Sequence, residues 1–178
     1  MHRAMPLSLL TSAIQAELDS DYRTAALNYR RLATQGSLLD RVGILQSIAR
    51  CYEKLGKFTE AARWRERAGN AYAKLPRQVM GSQEKAYYAL VEFRTAIQDY
   101  RTIRGMRRAT GAYLKALDTC LRASKEGYSH EMLFAGFLAK KLGLRKKAAG
   151  FLEDAAEQFE RDGKLSLARE LRELVSGL

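Results

Sequence analysis

Few side chains in this sequence could do covalent chemistry. The only histidines are His2, near the start, and His130, where a helix is expected to begin, so a histidine-rich metal cluster cannot form. No HExxH pair and no phosphate-cradling glycine-rich loop occurs. The acidic pairs Glu153/Asp154 and Glu157/Glu160 read as a solvated helix face. Cys51 and Cys120 are isolated on apolar helical faces, where they act as small buried hydrophobes of a reducing compartment. These residues point away from an enzyme. No catalytic, cofactor-binding or metal residue is assigned, and a cytoplasmic location is expected.

Basic and aromatic residues are the better candidates. The chain has a net charge of +11, which favours an anionic partner without choosing among nucleic acid, lipid and acidic protein. The positive charge clusters at three expected turns. Lys54 and Lys57 flank Gly56; Arg101, Arg104, Arg107 and Arg108 surround Gly105; Lys140, Lys141, Arg145, Lys146 and Lys147 surround Gly143. A cation in the last turn of a helix is favoured by the helix dipole, which accounts for Lys54, Lys140 and Lys141. Arg107, Arg108, Lys146 and Lys147 are expected to begin helices and so oppose the dipole. The first turn, Asp19-Ser20-Asp21, is acidic instead. Tyr87 and Tyr88 are adjacent among nine tyrosines, so at least one of them is expected to point away from the core, either half-buried between hairpins or serving as a binding anchor or stacking platform.

The elements that must carry these residues are helices. Leu45, Ile48, Ala49, Tyr52 and Leu55 recur every three or four residues, Gly56 follows, and Phe58, Ala61, Ala62, Ala68, Tyr72 and Leu75 form a second stripe ending at Pro76. The spacing predicts two helices joined by a short turn, with Ala49, Ala61 and Ala68 at the contact. Before this pair, Leu7, Leu10, Ile14 and Leu18 form one stripe, and Tyr22, Ala25, Ala26, Tyr29, Leu32 and Ala33 another. Ser37 with Asp40 reads as a capping box. Beyond Pro76, Ser82 is expected to cap a helix through Tyr100, the chain is expected to break near Gly105, and Ser129 is expected to cap a later helix. Burying Arg101, Arg104 and Arg108 on one unbroken apolar face would be costly, hence the break. No apolar run approaches the roughly 20 residues that span a bilayer.

Three turns share a pattern, with Gly followed five residues later by Ala: Gly56/Ala61, Gly143/Ala148 and Gly163/Ala168. Around two of them the match extends, from Ala49 to Ala68 and from Gly136 to Ala155. This pattern resembles the tetratricopeptide repeat, whose period is about 34 residues. The stretch KLGKFTEAARWRERAGNAY is also similar to the soluble NSF attachment protein (SNAP) branch, adaptors that link helical membrane-fusion complexes to a hexameric ATPase. Arg65 replaces the family's aromatic residue, Trp64 stands one place early, and the final SGL does not resemble the family's acidic ATPase-docking tail, so an ATPase connection is not expected from these residues.

The expected architecture is therefore all-α. It is a right-handed α-solenoid of about four antiparallel hairpins (about 6–36, 37–76, 82–126 and 129–162) with a terminal helix at about 164–176, in one domain. The resemblance implies a non-catalytic adaptor or scaffold for a helical or extended acidic protein. Arg50, Tyr87, Arg94 and Gln98 would line its inner surface, and the basic turns would form one edge. Two alternatives use that edge: binding of RNA or DNA, and peripheral docking on anionic membrane.

Overall fold

A computed structural model describes residues 6–124 and 127–178. Among the described residues the regular structure is entirely helical: α1 (Leu7–Leu18), α2 (Tyr22–Leu32), α3 (Leu38–Lys54), α4 (Phe58–Ala73), α5 (Ser82–Asp99), α6 (Ile103–Ala123), α7 (Ser129–Lys141), α8 (Arg145–Arg161) and α9 (Leu165–Ser176). The helices fall into two units, one ending at Ala116 and the other beginning at Leu117. In the first, each of α1 to α4 packs on the helix that follows it. In the second, α7 packs on α8 and α8 on α9. No helix among the described residues is long and apolar enough to cross a membrane.

Small residues sit where the helices touch. Ala13, Ala25, Ala49, Ala61 and Ala68 are fully buried, as are Ala139, Ala148 and Ala155 in the second unit. At Gly136 a Cβ would lie 2.6 Å from the Leu152 side chain, so α7 and α8 meet there only because the position has no side chain. Larger side chains fill the space around these contacts. Tyr29, Leu32, Ile44 and Ile48 join α2 to α3, with Trp64 of α4 packed against them. Met132, Leu152, Phe159 and Leu171 do the same for α7 to α9. Each fully buried leucine or isoleucine contributes roughly 1.5–3 kcal/mol by leaving water.

The turns reveal a repeat that glycine spacing alone hides. After α3, Gly56 takes a positive φ of 69° and the Lys57 amide donates to the Tyr52 carbonyl at 2.8 Å. Gly143 and the Leu144–Ala139 bond reproduce this closure after α7. The turn after α1 makes the same bond, from the Asp21 amide to the Ala16 carbonyl at 2.8 Å, with Ser20 at a φ of 62° in the glycine's place. Ala13, Ser20, Ala25 and Leu32 thus have the spacing of Ala49, Gly56, Ala61 and Ala68.

Three local expectations need correction. The break between α5 and α6 falls at Tyr100–Thr102, not at Gly105. Tyr100 is extended, and the Thr102 hydroxyl accepts from the Gly105 amide at 3.3 Å, which caps α6. Gly105 is glycine for another reason: a Cβ there would collide with the Tyr100 ring. Ser82 and Ser129 are first helical residues, with Gly81 and Tyr128 at the cap positions and no side-chain cap bond. The Ser37–Asp40 capping box forms in both directions. Its bonds hold the Asp40 carboxyl below the usual carboxylate range.

Candidate protein-interaction groove

The apolar stripe expected to bury α1 faces outward instead. Ala13 is the buried residue of that helix, while Ile14 is 45% and Leu18 74% exposed. Opposite them on α3, Leu39 is 49% exposed. Between the two helices lies an open groove of about 710 Å³. Leu10, Ile14, Leu18, Leu39 and Ile44 supply its apolar lining, and Glu17, Asp40 and Arg50 its charge. Apolar side chains of this size exposed together on adjoining helices mark a surface that gains by being covered.

An ion pair across the groove ties α1 to α3. Arg50 donates from Nε and Nη2 to Glu17 Oε1 at 3.2 and 3.1 Å, and from Nη2 to Ser47 Oγ at 3.1 Å. Tyr29 on α2 donates its hydroxyl to the other oxygen of Glu17 at 2.8 Å. Burial and the Glu17 hydrogen bond push the Tyr29 phenol up to about 12, so it remains a donor at neutral pH. Arg50, an expected site residue, therefore lines the groove but is already partnered. Ile14, Glu17, Leu18 and Leu39 were not anticipated. The available signal was that α1 has apolar residues on both sides, with Leu9, Ala13 and Ala16 turned toward α2 and the core and Leu10 shared between that core and the groove.

A second polar system joins α3, α4 and α5. Gln46 lines the groove and donates to Glu92 Oε1 at 2.7 Å and to the Tyr72 hydroxyl at 3.3 Å. Arg65 stands at the centre of three carboxylates, 2.6 Å from Glu53, 3.1 Å from Asp99 and 3.8 Å from Glu92. An aromatic residue at position 65 would leave the buried Glu92 and the half-buried Asp99 without this cation. Burial raises the carboxyl pKa of both Glu92 and Asp99 above the ordinary range, opposed by Gln46 and Arg65 for Glu92 and by Arg65 for Asp99. The Tyr72 ring stacks on Tyr88 with centroids 5.2 Å apart, and Tyr88 meets Tyr87 edge-on at 5.8 Å. Tyr87, Tyr88, Val91 and Gln98 are exposed on α5, with Arg94 half-buried among them. The expected residues of α5 thus share one outward surface.

The basic residues sort into engaged and solvent-directed groups. Arg108 donates to Glu66 at 2.6 Å and also to the Tyr100 hydroxyl, which itself donates to Glu66 at 2.9 Å. That pairing explains a cation in the early part of α6. The Arg101 guanidinium lies 4.6 Å from the centre of the Phe58 ring, bringing the α5–α6 turn beside the start of α4. Lys54, Lys57, Arg104 and Arg107 are exposed in the same unit, and Lys140, Lys141, Arg145, Lys146 and Lys147 in the second. Lys146 and Lys147 occupy the first turn of α8, which contains no acid.

The residues with catalytic potential lie elsewhere. Cys51 and Cys120 are buried, and burial raises both thiols, Cys51 to about 11. The His130 ring meets Phe159 edge-on at 5.7 Å. Glu153 and Glu160 both accept from Arg172, which ties α8 to α9. Among the described residues no group of three metal-ligating side chains forms. Comparison with known protein families, curated proteins and solved structures finds no match.

Proposed function

We propose that the chain is a non-catalytic adaptor that holds an amphipathic, acidic segment of another protein in the α1/α3 groove. The observation carrying this reading is the outward apolar stripe of Ile14 and Leu18 facing Leu39. A helical or extended peptide would place apolar side chains over that stripe, the mode in which spaced anchors sit in a hydrophobic groove. The exposed surface of α5 would extend the contact through Tyr87, Tyr88, Val91 and Gln98. Lys54, Lys57, Arg104 and Arg107 would steer an acidic partner toward it, affecting the association rate more than the final affinity. The similar turns at Ser20, Gly56 and Gly143, with a fourth at Gly163 where the Lys164 amide donates to the Phe159 carbonyl at 2.8 Å, support reading the helices as degenerate tetratricopeptide-like hairpins in a right-handed solenoid. The SNAP likeness and any ATPase connection rest on the sequence resemblance.

Site-specific photo-crosslinking tests this proposal. A photoreactive residue at Leu18 or Leu39 should trap discrete protein segments from nuclease-treated lysate, mapped by mass spectrometry to acidic amphipathic stretches. The same probe at Lys140 serves as the comparison. Trapping only nucleic acid, or the same proteins equally from all three positions, would overturn it.

A further inference from the structure

A separate recess of about 290 Å³ opens where α2 meets the end of α3 and the start of α4. It shares no lining residue with the α1/α3 groove. Its floor is apolar, with Leu55 half-buried and Leu27 49% exposed. Three cations surround that floor: Arg23, Arg30 and Lys57. Arg23, Leu27 and Arg30 lie four and three residues apart and so share one face of α2. Arg30 donates to the Tyr52 hydroxyl at 3.4 Å, which directs its guanidinium across the recess.

Local structure does not account for this charge. Arg30, in the last turn of α2, is favoured by the helix dipole. Arg23 is in the first turn of α2 and Lys57 at the cap of α4, where a cation is disfavoured. Asp21 offsets Arg23 in part, but its carboxylate accepts from the Thr24 amide. Among the described residues no carboxylate forms an ion pair with Arg23, Arg30 or Lys57.

We infer that this recess is a second peptide site, which takes an aliphatic side chain flanked by carboxylates. The apolar floor and small volume suit one or two side chains, below the usual range of roughly 300–1,000 Å³ for drug-sized ligands. The cations stand on more than one side of the floor, matching acidic residues before and after the buried side chain. A single-stranded nucleic acid would want exposed stacking platforms, and the aromatic residue lining this recess, Tyr52, is half-buried with its hydroxyl held by Arg30. The inference rests on these residues alone and does not require the α1/α3 groove to be occupied.

The test is a nitrogen-15 NMR titration of the whole chain with an amidated hexapeptide containing two leucines between paired glutamates. Shifts should cluster at Arg23, Leu27, Arg30 and Lys57, and the glutamine version of the peptide should bind more weakly. Arg30→Glu with Lys57→Glu should weaken binding about tenfold, since two exposed charge contacts are each reversed. Arg30→Gln with Lys57→Gln should weaken it less, and Lys146→Glu, an exposed residue in the first turn of α8, should leave it unchanged. Leu27→Ser should weaken it with the charges intact. Shifts confined to other residues, or equal affinity for the glutamine peptide, would overturn the assignment. So would identical shifts from inorganic phosphate, a phosphatidylserine vesicle or oligothymidylate at concentrations where the peptide is silent.

Discussion

At the scale of residues, Glu92 shows how burial and partnership compete. Its carboxylate is buried, accepts from Gln46 at 2.7 Å and lies 3.8 Å from Arg65, while its second oxygen lacks a hydrogen bond. Burial raises its pKa above the ordinary 4.5, so the folded chain holds this proton to a higher pH than the unfolded chain. Stability attributable to Glu92 is therefore greatest at low pH and falls as pH rises from about 4.5 through the raised folded value. Asp99, also raised by burial, adds a slope of the same sign. Glu92→Gln should flatten this loss, since the amide can still accept from Gln46 and Arg65 keeps Glu53 and Asp99. Denaturant melts of both proteins across pH 4.5 to 7 would show it, and parallel curves would remove Glu92 from the account. The sequence flagged Arg65 only as a departure from a repeat motif. Its partners Glu53, Glu92 and Asp99 come from two other helices, and no local spacing brings them together.

At the scale of elements, the helical stripes were legible wherever one side of a helix was apolar. Prediction failed at α1, which is apolar on two sides, because periodicity cannot say which side the next helix covers. The Gly56 and Gly143 turns were legible from glycine and the Asp19–Asp21 turn from its polar residues; that the last closes in the same way was not, because Ser20 takes the left-handed conformation without being glycine. Ser20→Gly should raise stability by about 0.5–1 kcal/mol, because a side chain in that conformation costs more than glycine's extra entropy. A chemical melt measures this, and a loss of stability would mean the serine makes a contact that compensates. Gly105 was legible as special but assigned the wrong task. Gly105→Ala should destabilise by about 1–2 kcal/mol, as the Tyr100 ring must move, with a modest helix-propensity gain offsetting part of the cost. Charge reversal of the basic edge is best confined to Arg104 and Arg107. Arg108→Glu would set a carboxylate against Glu66, whose side chain is only 14% exposed.

At the scale of the whole molecule, the described residues include one hydrophobic cluster in the first unit and one in the second. Phe159 is fully buried in the second. Phe159→Ala should cost about 3–5 kcal/mol there. Hydrogen exchange should then lose protection in α7 to α9 and keep it in α2 to α4; a uniform loss would show that the chain opens as one cooperative body. The all-helical class was readable from the sequence because local periodicity sets it. The division into units was not, because it depends on which distant helices touch. The apolar groove likewise became visible only once α1 and α3 were set side by side. The central claim is that this groove grips a protein segment, and Ile14→Asp with Leu18→Asp tests it most directly. Both side chains are exposed, so the melt should shift by no more than about 0.5 kcal/mol. The measurement is the set of proteins retained from nuclease-treated lysate by the variant and by the unaltered chain, quantified by mass spectrometry. Discrete acidic partners should be held by the unaltered chain and lost from the variant; the same proteins retained at the same level by both would contradict the claim.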